Sequence, residues 1–270
     1  MTSTGRTDSQ LVEAILRRQR LIVGGCLAVL VGFAWLYLIH SRTSMTGMDM
    51  PEMQMPGMVM PGSEAWSLTA ILLLFAMWTV MMVAMMVPSA APMVLTFLAM
   101  NHRRQTTDQR LVPVGIFLLG YLAIWTAYSA FATLAQWSLH RASLLSSVMT
   151  TTSPKLNGAL LIAAGVFQWT PLKRACLNGC RSPLSFLMSE WREGSRGALI
   201  MGLRHGTYCV GCCWVLMALL FVAGIMNLLW VGVIALFVMA EKIFPKGEIL
   251  AHIAGVALVI SGAVLIAHVW

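Results

Sequence analysis

The feature that most constrains this chain is a long stretch with almost nothing polar in it. Residues 66–87 are apolar, and an apolar tail continues past Pro88 and Pro92 to Met100 without one Asp, Glu, Lys or Arg. About 20 mostly apolar residues in a helix reach across a bilayer, and a helix is one of the few ways to satisfy every backbone polar group there. The same pattern recurs at 21–39, 112–137, 156–171, 207–226, 228–240 and 249–269. The sequence therefore predicts an all-α fold, a polytopic transmembrane helical bundle of about seven spans. Pro88 and Pro92 are expected to disturb the end of the second span.

Composition excludes the soluble alternative. Charged residues make up 10% of the chain and apolar ones 59%, whereas a soluble domain carries about 25% charged residues to cover its surface. The first apolar run follows Arg17, Arg18 and Arg20, as a signal peptide would. It is longer than a signal's apolar region and no small-residue cleavage site follows it, so it reads as a retained helix.

The net charge of +8 reflects where basic residues fall. With the N-terminus in the cytoplasm, the outside segments hold only Arg42, Arg141 and Lys155 of the eighteen basic residues. This is the positive-inside bias, and it makes the lipid bilayer, not nucleic acid, the partner of the basic residues. The expected organisation is a cytoplasmic tail (1–20), a first transmembrane helix (21–40), an extracytoplasmic Met/Pro-rich loop (41–65), and a bundle (66–270) with a cytoplasmic loop at 173–206. In a bacterial cell the bundle would sit in the inner membrane and the Met-rich loop would face the periplasm. The 173–206 loop mixes Phe186, Leu187, Met188 and Trp191 with Arg181, Glu190, Arg192 and Glu193, a composition suited to the membrane surface.

That outer loop carries the most specific local pattern. Residues 48–62 read MDMPE-MQMPG-MVMPG, a three-fold Met-x-Met-Pro-Glu/Gly repeat. Pro51, Pro56 and Pro61 forbid a helix and favour an extended, polyproline-like chain. Thioethers displayed to water gain nothing by packing, but they are neutral, soft ligands that select Cu(I) over hard cations. Met48, Met50, Met53, Met55, Met58 and Met60 are therefore candidate ligands. The plain alternative is a methionine-rich linker.

The second span adds Met77, Met81 and Met85, four apart on one helical face, with Met82 and Met86 beside them. Such a stripe is ordinarily packing. Its place directly after the repeat makes Met81, Met82, Met85 and Met86 candidate ligands as well, with Trp78 placed to cover a sulfur-bound cation.

Of six cysteines, Cys26 stands apart and five gather late in the chain. His205, Cys209, Cys212, Cys213 and Met217 fall at helical spacing and form a column of imidazole, thiol and thioether. Cys176 and Cys180 lie where the fourth span meets the cytoplasm, and Lys173, Arg174 and Arg181 are expected to lower their pKa values. Two or three such sulfurs satisfy Cu(I), and zinc, the second candidate, wants four in a tetrahedron. Single cysteines in membrane helices are more often small packers. Glu241 and Lys242 read as an interfacial ion pair or as groups that orient a ligand, and Gln168 and Asn157 as interhelical hydrogen-bond partners.

Four segments, WTVMMVAMMVPSAAP (78–92), QWTPLKRACLNGCRSP (168–183), GTYCVGCCWVLM (206–217) and MNLLW with AEK (226–230, 240–242), together resemble a bacterial family of metal-binding integral membrane proteins, a domain of unknown function described as copper-chaperone-like. The resemblance covers about residues 66–245. It implies metal binding, and it implies Met81, Met82, Met85, Met86, Cys176, Cys180, Cys209, Cys212 and Cys213 as ligands, but it transfers no reaction.

The leading expectation is a membrane protein that captures, transfers or delivers Cu(I), with a cuproenzyme or copper chaperone as its protein partner. One alternative is a membrane thiol-disulfide or quinone-linked redox enzyme using the cysteines. The other is an accessory or assembly subunit without its own metal. The chain has no nucleotide-binding Gly-rich loop and no evident Ser/His/Asp constellation, which argues against ATP-driven pumping by this chain alone.

Overall fold

The computed structural model describes residues 4–46, 67–104, 112–142, 153–225 and 227–268. The Met-Pro repeat, with Met48, Met50, Met53, Met55, Met58 and Met60, lies outside the described residues. Those described form helices and connections, with no strand among them. In chain order they are α1 (Thr4–Thr46), α2 (Leu68–Arg104), α3 (Val112–Arg141), α4 (Pro154–Phe167), α5 (Pro171–Arg181), α6 (Pro183–Glu190), α7 (Gly194–Ala218), α8 (Leu220–Ala223), α9 (Leu228–Ile243) and α10 (Gly247–Ala267).

Among the described residues, five helices are long and apolar enough to cross a membrane: Ile15–Thr43, Leu68–His102, Val112–Arg141, Gly194–Ala223 and Gly247–Ala267. That is fewer than the seven spans expected. The segments read as the fourth and sixth spans form α4 and α9, of 14 and 16 residues, or roughly 21 and 24 Å at 1.5 Å per residue. The fifth span begins thirteen positions earlier than its apolar pattern, because α7 starts at Gly194, whose φ of +74° suits the turn into the helix.

The prolines do not stop α2, which runs through Pro88 and Pro92 to Arg104. Hydroxyl groups bond the backbone around them. Ser89 Oγ donates to Met86 O at 2.9 Å, Tyr121 Oη donates to the same carbonyl at 3.0 Å, and Thr96 Oγ1 donates to Pro92 O at 2.7 Å. Ser89 and Thr96 belong to α2 itself and Tyr121 to α3, and side-chain bonds of this kind, bracing the turns around a proline, make it tolerable inside a long apolar helix.

Glycines set the closest helix seams. On α3 and α7, a Cβ at Gly202 would stand 2.1 Å from Phe117 O, and one at Gly120 would stand 2.6 Å from Leu199 O. Gly206 packs on Tyr121 and Ile124, and Tyr128 Oη donates to Trp214 O at 3.1 Å. These pairs advance together along both helices, so α3 and α7 run parallel. In the α4–α10 seam, Gly158 meets Gly262 and Ile266, and Gly165 meets Gly255 and Val259. That order runs oppositely, so α4 and α10 are antiparallel. Small residues that let backbones touch are the usual interface of helices in lipid.

The 173–206 segment folds as most of α5, all of α6 and the first turns of α7. Helix α5 is capped by Thr170, whose hydroxyl accepts from Lys173 N, with Pro171 at the first helical position. It packs against α7 and buries Lys173, Leu177 and Cys180, while Phe186 and Leu187 of α6 are buried as well. Large apolar side chains instead face outward on the long helices, among them Phe33, Leu119, Phe131, Ile253 and Ile260.

Candidate metal centre

The α2 methionines point into the protein. Met81, Met82, Met85 and Met86 are each 0–1% exposed and share one core cluster with Cys180, Cys209, Cys212, Cys213 and Met217. Trp78 is buried in the same cluster. Its indole N–H donates to Gln136 Oε1 at 2.7 Å and its ring lies 5.5 Å from Phe221.

Helix α7 turns His205, Cys209, Cys212, Cys213 and Met217 inward, all buried as the spacing predicts. Cys213 Sγ approaches Met86 Sδ at 4.0 Å, joining α7 to α2 through sulfur. The thiols of Cys212 and Cys213 donate to Cys209 O at 3.1 and 2.9 Å. Cys180 of α5 reaches the thiols of both Cys209 and Cys212. Sulfur atoms from α2, α5 and α7 thus meet in one buried region.

Cys176 lies one turn before Cys180 and is half-exposed. Its thiol sits over Gly211 of α7, where a Cβ would come within 2.7 Å of the sulfur. The absence of a side chain at 211 is what lets α5 dock this closely.

The cations near α5 do not activate these thiols. Lys173 Nζ donates to Glu241 Oε1 and Oε2 at 2.7 and 2.9 Å and also to Gln168 Oε1. Arg174 turns to Trp169 O, and Arg181 to the carbonyls of Phe244 and Pro245. Burial and the neighbouring Cys212 push the Cys176 thiol up. Hydrogen bonds to Cys209 and Cys212, then burial, push that of Cys180 well up. The expected lowering is therefore reversed at both positions.

Glu241 and Lys242 do not pair with each other as an interfacial couple. Glu241 closes the buried bridge to Lys173, which also engages Gln168 as an interhelical partner. Lys242 Nζ donates to Cys209 Sγ at 2.9 Å and to Ser89 Oγ at 3.0 Å. Tyr121 Oη lies 3.2 Å from the same Cys209 sulfur. Sequence reasoning missed Tyr121 and Ser89 as neighbours of the thiols. The available signals were a tyrosine in an apolar helix and a hydroxyl beside two prolines.

His205 stands in an aromatic cage, its ring 5.6 Å from Tyr121, 6.1 Å from Phe117 and 5.7 Å from Phe186. Its buried Nδ1 has no hydrogen-bond partner. Among the described residues, no three His, Cys, Asp or Glu side chains close around a point as a finished ligand shell. What the structure offers is a buried thiol–thioether contact and a group of thiols beside it. A soft ion content with two or three ligands can use such a set.

The PpoB2 copper chaperone family matches residues 75–265, from within α2 to near the end of α10. No curated protein and no solved structure matches the chain. The sulfur-bearing stretches of α2, α5 and α7 all fall inside the matched region, and the chain belongs to the PpoB2 copper chaperone family.

Proposed function

We propose that this protein handles cuprous ion inside a membrane: thioethers receive Cu(I) and the buried thiol–thioether cluster holds it for transfer. The observation that carries this reading is the meeting of Cys213 with Met86 at 4.0 Å, in one buried cluster with Cys180, Cys209 and Cys212. Thioether and thiolate sulfur together select Cu(I) among the common cellular metals. Zinc fits less well, because it demands four ligands in a tetrahedron and no such shell is closed among the described residues.

In this reading Met48, Met50, Met53, Met55, Met58 and Met60 collect the ion outside. Met81, Met82, Met85 and Met86 lead it along α2 to Cys209, Cys212 and Cys213, with Cys176 and Cys180 toward the cytoplasm. His205, its Nδ1 free within its aromatic cage, is a reserve ligand one turn further in. The ion moves from weaker thioethers toward stronger thiolates, and a copper chaperone or cuproenzyme is the partner that receives or supplies it.

The membrane setting is a bacterial inner membrane crossed seven times with the N-terminus inside. Five helices are long enough unaided. The parallel packing of α3 and α7 requires the chain between them to return, which α4 does. The antiparallel α4–α10 pair likewise requires α9 to return between α7 and α10. The charge bias supports the same orientation. With Lys173 and Lys242 set aside as buried groups, thirteen basic residues remain inside against three outside.

The test is metal stoichiometry on the whole purified protein under a non-coordinating reductant. The wild type should retain Cu(I), and Cys209→Ser with Cys213→Ser should lose the tightly held ion while the helical spectrum stays unchanged. A wild type that stays copper-free in excess cuprous ion, or a double variant that binds as before, refutes the reading.

A further inference from the structure

Lys242 is 8% exposed, and its ammonium is held by a thiol sulfur and a hydroxyl. The carboxylate beside it in sequence is committed elsewhere, since both oxygens of Glu241 take Lys173. No described carboxylate lies within ion-pair distance of Lys242. A buried charge without a close counter-charge is strongly unfavourable, and the group in position to supply one is the Cys209 sulfur that Lys242 touches, with the neighbouring thiols beside it.

We propose that Lys242 sets the valence selectivity of the sulfur site, as a fixed positive charge that favours a monovalent ion over a divalent one. The inference rests on the copper reading above. Charge counting gives its logic. A monovalent ion on two thiolates carries −1, and Lys242 cancels it. A divalent ion on the same two thiolates is neutral, and Lys242 leaves it at +1 in a medium where an uncompensated charge is costly. Each thiol that becomes a ligand exchanges its S–H bond for a metal–sulfur bond and releases the proton to buffer; no electron is transferred. A third thiolate would neutralise the divalent complex. The structure does not offer one ready-made, because no three such ligands converge among the described residues. The Lys173–Glu241 pair is neutral as a unit and biases neither ion. Ser89 adds a second anchor that fixes the ammonium beside Cys209 instead of letting it extend toward the helix end.

The experiment is a competition titration of the full-length purified protein with Ag(I), a monovalent stand-in for Cu(I), and Cd(II), a soft divalent ion. The wild type and Lys242→Arg should prefer Ag(I). In Lys242→Leu, which removes the charge without adding a ligand, the ratio of Ag(I) to Cd(II) affinity should fall on the order of 100-fold, from loss of Ag(I) binding, gain of Cd(II) binding or both. Lys242→Gln, which keeps a donor for Ser89, should shift the ratio in the same direction even if the leucine variant folds poorly. An unchanged ratio in the folded variants overturns the proposal, as does an equal loss for both ions, which would make Lys242 a structural residue only. A wild type that binds neither ion removes the copper reading itself. A wild type that binds Ag(I) with an unmoved ratio in Lys242→Gln refutes the lysine's role alone.

Discussion

Removing one partner of the Lys173–Glu241 bridge should be among the most damaging conservative changes available to this protein. The carboxylate takes the ammonium through both oxygens, at 2.7 and 2.9 Å, and the two side chains are 1% and 2% exposed. Glu241→Gln keeps the shape and deletes the charge, leaving a buried ammonium with only neutral acceptors, the new amide oxygen and Gln168 Oε1. Breaking a buried pair in this way costs about 3–5 kcal/mol. At roughly 2–4 °C per kcal/mol for a protein of this size, the midpoint should fall by about 10 °C. Replacing both partners, as in Lys173→Met with Glu241→Met, removes the unpaired charge and should return stability to within about 1 kcal/mol of wild type. Reversible unfolding in mixed micelles, followed by circular dichroism across the four-member cycle, measures both numbers. The reasoning fails if Glu241→Gln costs under about 1 kcal/mol, or if the double variant costs as much as the two single changes added.

Two further outcomes follow from local geometry. Gly202→Val should separate α3 from α7 and cost about 2–3 kcal/mol, since the new Cβ would stand 2.1 Å from Phe117 O; Gly32→Val, with nothing within 4 Å, is the silent control in the same unfolding assay. Alkylation of Cys176 should be slow at pH 8: its thiol is pushed up, so the reactive thiolate is scarcer than in a free cysteine, and the rate should keep climbing with pH beyond the range near ~8.5 where an ordinary thiol levels off. Mass-spectrometric rates for Cys176 that match a free thiol at pH 8 would contradict this.

What could be read from the residues was mainly what a single helix determines. The inward turn of His205, Cys209, Cys212, Cys213 and Met217 follows from spacing alone, and all five are buried on α7. The methionines of α2 had two readings, packing or ligation, and periodicity cannot separate them because both bury the same face. Pro88 and Pro92 misled because their effect depends on hydroxyls from Ser89, Thr96 and Tyr121, the last on another helix. Lys173 was counted as a topology signal and as an activator of cysteines. Its partner Glu241 is 68 positions away, and no local pattern indicates such a pair. The spans expected at α4 and α9 are helical and apolar but only 14 and 16 residues long, so length alone does not carry them across a membrane. Their hydrophobicity was legible, but a helix shorter than the membrane is sustained by neighbours, and neighbours are a property of the fold.

The contact between Tyr121 and Cys209 joins positions 88 residues apart, and it has a consequence for biosynthesis. At the ~5–20 residues per second of translation, α7 emerges roughly 4–18 seconds after the part of α3 it must dock against. During that interval the thioethers of α2 are already present, Cys176 and Cys180 follow on α5, and Cys209, Cys212 and Cys213 come last. The sulfur cluster can therefore close only once α7 is made, and until then a nascent chain offers stray metal ions an incomplete grip.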